Sequence, residues 1–226
     1  MFDAAIFDMD GLLIDSERAI MAAWLGAARD LGVGLDEAAF VQLIGRARPV
    51  CDRILTEIFG GQPAFREAVS LVNARLNEHG PEPIFPPKKG ALEMLQRLQA
   101  LGVRCAVASS SSRSEIGHRL GAVGILGFMA AVAGGDEVDA GKPDPAVYNL
   151  AAKRLGHHPA HCLAFEDSEN GALAALASGA RVVLVPDVKR PRADIVERCF
   201  HTLASLDEAL PHIPTWFPSP NVATGV

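Results

Sequence analysis

Five short apolar runs, Ala4–Phe7, Val103–Ala108, Met129–Ala133, Cys162–Phe165 and Arg181–Val185, alternate along the chain with stretches of helical periodicity. No other feature constrains the fold as strongly. Short continuous apolar runs suit buried strands, and strands that alternate with helices build a parallel sheet covered by helices on both faces. The helix expected before Val103 carries Leu92, Leu95 and Leu98 on one stripe and closes at Gly102. Another is expected to begin with Asp144 as N-cap and Pro145 at its first position. It carries Val147, Ala151 and Leu155, and stops at Gly156. The fold class expected is α/β.

Between the first run and Leu92 the pattern changes, and from Ser16 to about His79 only helical stripes occur. Ile20, Trp24, Ala27 and Leu31 share one face and end at Gly32; Phe40, Leu43 and Ile44 follow Asp36, an expected N-cap. Ile54 and Ile58 form a third stripe, and Phe65, Val69, Val72 and Leu76 a fourth. The proline-rich stretch Gly80 to Pro87 reads as a stiff return linker. The chain is thus expected to hold an α/β core domain from residues 1–15 and 86–226, interrupted by a small all-helical domain at 16–85. An insertion that leaves directly after the first strand is expected above the carboxyl ends of the strands, where open α/β sheets bind ligands.

Four polar clusters interrupt this apolar framework, three of them at expected strand ends. Asp8 and Asp10 follow Ala4–Phe7, and Gly11 then allows a sharp turn. Ser109 and Ser110 follow the second run. Lys142 lies between Gly141 and Pro143, and Glu166 and Asp167 end the fourth run. Carboxylates at the ends of buried strands need compensating positive charge. A hard cation such as Mg²⁺, which takes oxygen ligands, supplies it economically.

Aspartates, a serine, a lysine and a second acidic pair, in that order, resemble the haloacid dehalogenase superfamily of phosphotransferases, and the match spans nearly the whole chain. The resemblance implies a Rossmann-like core with a helical cap. It casts Asp8 as the nucleophile that forms an aspartyl-phosphate and Asp10 as general acid and base, with the Asp10 carbonyl rather than its carboxylate on Mg²⁺. Asp167 becomes the second metal carboxylate, with Glu166 either on the metal or just behind it. Ser109 and the amide of Ser110 would bind the transferring phosphoryl group, and Lys142 would offset the negative charge. Ser111 and Ser112 read as ordinary loop or helix-cap residues. Gly45, Arg46 and Arg48 lie between two expected cap helices, where an arginine fork could meet a substrate phosphate or carboxylate. The mutases of the superfamily carry a cap histidine where this chain has Ile20, so a phosphatase of a small phosphorylated metabolite is expected over a sugar-phosphate mutase.

The remaining features exclude other classes. A net charge of −6 over 226 residues gives no long-range field for nucleic acid or anionic lipid. No Gly-x-x-x-x-Gly-Lys loop occurs, and no segment is apolar enough for long enough to span a bilayer. Cys51, Cys105, Cys162 and Cys199 form no Cys-x-x-Cys pair, and Cys105 and Cys162 read as apolar core residues. A reduced, cytoplasmic, monomeric enzyme is expected. His157, His158 and His161 fall before a strand start, away from the acidic clusters, and read as surface residues. Gly121 to Gly135 reads as loop and buried strand, and the Trp216-Phe217 pair as the point where the tail docks.

Overall fold

The computed structural model describes residues 1–44, 48–76 and 84–218, and divides into two compact units, Met1–Ile14 with Pro87–Val226, and Asp15–Pro86. In the first, six strands form one sheet: β1 (Ala4–Phe7), β2 (Arg104–Ala108), β3 (Met129–Ala133), β4 (Cys162–Glu166), β5 (Arg181–Leu184) and β6 (His201–Thr202). Their order is β3-β2-β1-β4-β5-β6 and every pairing is parallel. All residues of β1 and β4 are buried, as continuous apolar runs require when both faces are covered. Rings from the two strands stack, Phe7 on Phe165, with centroids 4.8 Å apart.

The expected α/β, Rossmann-like sheet is therefore present. The chain builds β2 and β3 to one side of β1, then crosses to β4, β5 and β6 on the other. The strand order reverses between β1 and β4, and such switch points open a crevice at the carboxyl ends of the strands. Phe7 pairs with both Val107 and Phe165. The residue that follows β1, Asp8, consequently stands level with the ends of β2 and β4.

The helical unit holds α1 (Glu17–Asp30), α2 (Glu37–Val41), α3 (Arg48–Ile58) and α4 (Gln62–Leu76). Its own core gathers Ala27, Phe40, Leu43, Leu55, Phe59 and Val72, with Ile20 and Trp24 packed against them. Asp36 caps α2, its carboxylate accepting from the Ala39 amide at 2.8 Å. Around the sheet lie α5 (Ala91–Ala100), α6 (Arg113–Ala122), α7 (Ala146–Leu155), α8 (Glu169–Ser178), α9 (Ala193–Val196) and α10 (Ile213–Trp216). No helix among the described residues is long and apolar enough to cross a membrane.

Three local expectations need correction. Pro145, not Asp144, is the N-cap residue of α7; Asp144 instead turns its carboxylate onto the Ala146 amide at 2.9 Å. Gly121 lies within the last turn of α6, which runs to Ala122, rather than opening a loop, and β3 is only partly buried because it is an edge strand. The helix-cap reading of Ser112 holds: the serine run at 109–112 leads into α6, which Ser112 caps through a full capping box with Glu115.

Candidate active site

At the carboxyl ends of β1 and β4 three carboxylates converge. Asp8, Glu166 and Asp167 are all buried, and each offers an oxygen within 4.8 Å of the other two. Local rules explain their placement. Asp8 continues β1, its amide donating to the Phe165 carbonyl at 3.0 Å, and Gly11 turns the chain away through a positive φ of 85°. Glu166 ends β4, and Ser168 caps α8 directly afterwards.

One lysine answers these charges. Lys142 Nζ donates to Asp8 Oδ1 at 2.6 Å and to Glu166 Oε1 at 2.5 Å. It comes from the loop before α7, next to a cis Lys142–Pro143 peptide, and lies 5.1 Å over the ring of Tyr148. Tyr148 is fully buried and donates from its hydroxyl to the same Glu166 Oε1 at 2.6 Å. Glu166 Oε2 accepts from the amides of Asp167 and Ser168 at 3.1 and 3.2 Å and from Ser168 Oγ at 3.1 Å. Five donors thus fill both Glu166 oxygens, which leaves Asp8 and Asp167 as the better placed carboxylates for a cation.

Burial pushes the Asp8 carboxyl up, although Lys142 pulls it down and Glu166 and Asp10 push it further up. Burial works to lower Lys142, but the charges of Asp8 and Glu166 outweigh it and hold the ammonium above its ordinary range. Burial and the neighbouring Glu166 raise Tyr148, which keeps its proton. Negative charge exceeds positive charge in this pocket. An oxygen-donor set in that state fits a hard divalent cation.

The ends of β1 and β2 also meet. Ser109 is buried at the end of β2, its hydroxyl accepting from the Ser111 amide at 3.1 Å; Ser110 is exposed. Gly135 passes so close that a methyl on it would lie 2.4 Å from the Ser110 carbonyl. Asp10 Oδ1 accepts from Arg119 Nη1 at 2.8 Å, and Asp10 Oδ2 accepts from Ser111 Oγ at 2.9 Å. Ser111 is therefore more than the loop residue its setting implied.

Asp8, Asp10, Ser109, Lys142, Glu166 and Asp167 are thus gathered around the ends of β1, β2 and β4. Gly45 and Arg46 lie outside the described residues; Arg48 opens α3. Sequence reasoning missed Tyr148, Arg119 and Gly171. A methyl on Gly171 would fall 1.9 Å from Glu166 Oε1. The histidines sit at the opposite end of β4: His158 Nδ1 accepts from the Ala160 amide, and His161 Nδ1 lies 3.2 Å from Asp3. Cys105 and Cys162 are buried free thiols in the core, as expected.

A family model described as haloacid dehalogenase-like hydrolase matches residues 2–179. Hexitol phosphatase B of Escherichia coli (strain K12) is 33% identical over 187 residues, covering 81% of this chain and 83% of that protein. Validoxylamine A 7'-phosphate phosphatase of Streptomyces hygroscopicus subsp. limoneus is 31% identical over 184 residues, 79% of this chain and 83% of that one. Among solved structures, a HAD family hydrolase from Deinococcus radiodurans R1 with bound phosphate and sodium superposes with a TM-score of 0.76. It is 28% identical and covers 95% of this chain and 96% of its own.

Proposed function

The chain belongs to the haloacid dehalogenase-like hydrolases, and on that footing we propose that it is a Mg²⁺-dependent phosphatase of a small phosphorylated metabolite, a sugar phosphate or nucleotide-type monoester. The observation that carries the reading is the buried Asp8, ion-paired to Lys142 and flanked by Asp167 where the strand order reverses.

Asp8 Oδ attacks phosphorus and the bond from phosphorus to the ester oxygen breaks, leaving an aspartyl-phosphate. Asp10 gives its proton to the departing oxygen. Asp10 then takes a proton from water, whose oxygen attacks phosphorus and breaks the bond to Asp8. Inorganic phosphate leaves, and both aspartates return to their starting states. Ser109 Oγ and the Ser110 amide hold phosphoryl oxygens, and Lys142 keeps a positive charge beside the nucleophile throughout. Asp8 and Asp167, with the Asp10 carbonyl, would hold the Mg²⁺ ion, which when bound supplies charge to offset the phosphate oxygens. Glu166 stands behind this group and fixes Lys142. Gly45, Arg46 and Arg48 stay a proposal for substrate contact, supported only by the bidentate fork that the two arginines carry.

The test is phosphate release from a panel of phosphomonoesters with Mg²⁺, with chelator, and with the Asp8→Asn variant. Turnover should require the metal and vanish in Asp8→Asn while folding is kept; near-normal release by that variant would rule out covalent catalysis. Incubation with β-glucose 1-phosphate and a trace of glucose 1,6-bisphosphate should give free phosphate. Rapid glucose 6-phosphate without it would make the enzyme a mutase.

A further inference from the structure

We propose that Arg119 and Ser111 are positioning residues for Asp10, holding the carboxyl group that hands its proton to the leaving oxygen; this rests on the acid–base role given to Asp10 above. Asp10 follows β1 in a turn, and a short side chain on a turn has several staggered orientations open to it. Two groups that follow β2 in the chain remove that freedom. Arg119 Nη1 takes one carboxylate oxygen at 2.8 Å and Ser111 Oγ the other at 2.9 Å.

Arg119 is itself held in place. Its Nη2 lies 3.5 Å from Glu115 Oε1, one turn earlier on α6, and its Nη1 reaches Ser111 Oγ at 3.5 Å. The other Glu115 oxygen accepts from the Ser112 amide and hydroxyl at 2.9 and 2.7 Å, closing the capping box of that helix. The first turns of α6 therefore aim a guanidinium at a residue 109 positions away in sequence. A Glu–Arg pair one turn apart on a surface helix is ordinary and weak. This one reaches into the site: the Arg119 and Asp10 side chains are only 17% and 23% exposed, and charge-assisted hydrogen bonds withdrawn from water fix geometry well.

Proton transfer demands such control, because a displacement of the donor by an ångström can cost about a hundredfold in rate. The consequence is selective. An alkyl phosphate needs a proton on its departing oxygen, whereas p-nitrophenyl phosphate releases a stable phenolate and needs little help. Loss of Arg119 should therefore harm the alkyl ester most.

The experiment compares kcat/KM, which reports phosphorylation of the enzyme, for an alkyl phosphate and p-nitrophenyl phosphate. It uses the wild type, Arg119→Met, Arg119→Lys, Ser111→Ala, Asp10→Asn and the Arg119→Met/Asp10→Asn double variant, all with Mg²⁺ and all checked for thermal stability. Arg119→Met should lose about tenfold to a hundredfold on the alkyl ester and clearly less on the aryl ester. Arg119→Lys should recover part of the loss, and Arg119→Met should add no further selectivity in the Asp10→Asn background. Equal loss on both esters, or no loss, would overturn the positioning role provided Asp10→Asn itself discriminates between them. If Asp10→Asn fails to discriminate, the acid–base reading of Asp10 falls first, and the role of Arg119 with it.

Discussion

A single added methyl tests how rigid the acidic cluster is. Gly171 is the third residue of α8, and replacing it by alanine sets two effects against each other. Helix propensity favours alanine over glycine by about 1 kcal/mol. Packing opposes it, because the new carbon would lie 1.9 Å from Oε1, 2.0 Å from Cδ and 2.1 Å from Oε2 of Glu166. Ordinary contact begins near ~3.5 Å, so the carboxylate would have to retreat by roughly 1.5 Å. A shift of that size takes it out of reach of its donors, Lys142, Tyr148, Ser168 and the Asp167 amide. Disrupting a buried charged network costs about 3–5 kcal/mol, so the net loss should be about 2–4 kcal/mol. Urea unfolding should show a lower midpoint at unchanged slope, and turnover should fall because Lys142 loses one of its two anchors. In a Glu166→Ala background the obstacle is gone, and Gly171→Ala should become stabilising. A Gly171→Ala variant as stable as the parent would refute the reasoning, for it would mean that the Glu166 carboxylate moves aside freely.

Tyr148→Phe keeps the buried ring but removes the donor to Glu166; hydrogen bonds to charged groups contribute about 1.5–3 kcal/mol. We expect kcat to fall by about tenfold, the equivalent of roughly 1.4 kcal/mol, with KM little changed; a change in KM alone would show that the hydroxyl acts elsewhere. Glu137 is held down to about 2 by its bonds from Arg154, at 2.8 and 2.9 Å, and from the Gly134 amide. Its folded value lies below the unfolded one of 4.5, so its stabilisation is present above that range and is lost as pH falls toward the folded value. Glu137→Gln should therefore be less stable than wild type by about 1 kcal/mol at neutral pH, and the gap should close in acid. A gap independent of pH, measured by urea titration, would contradict this.

The sheet was legible because every strand but one is a short apolar run, and such runs have little choice but burial between helices. β6, His201–Thr202, carries no such signal; it is two residues long and paired only at one edge. The helices α6 and α8 escaped notice for different reasons. Ser109–Ser112 looks like a loop until Glu115 closes the capping box on Ser112. In α8, alanines on all sides erase the stripe that periodicity needs. The acidic residues of the site were legible because each stands where an apolar run stops, and Lys142 because Gly141 and Pro143 frame it. Tyr148, Gly171 and Arg119 were not, since a tyrosine on an apolar stripe, a helical glycine and a helical arginine are ordinary in sequence. Only the approach of other segments gives them a task.

The position of β1 also dictates when this molecule can assemble. It is synthesised before both of its neighbours, yet it pairs only with β2 and β4, its register tying Ala5 to Cys105 and to Leu163. During synthesis, residues 4–7 must therefore wait, apolar and unpaired, until most of the chain has emerged. Closing such distant contacts slows folding, and an unsatisfied strand invites association with other chains meanwhile. Shortness limits that hazard: four residues make a poor template for aggregation, and Asp8 and Asp10 follow at once with like charge. The carboxylates that form the site in the finished protein also guard the strand that bears them while it waits.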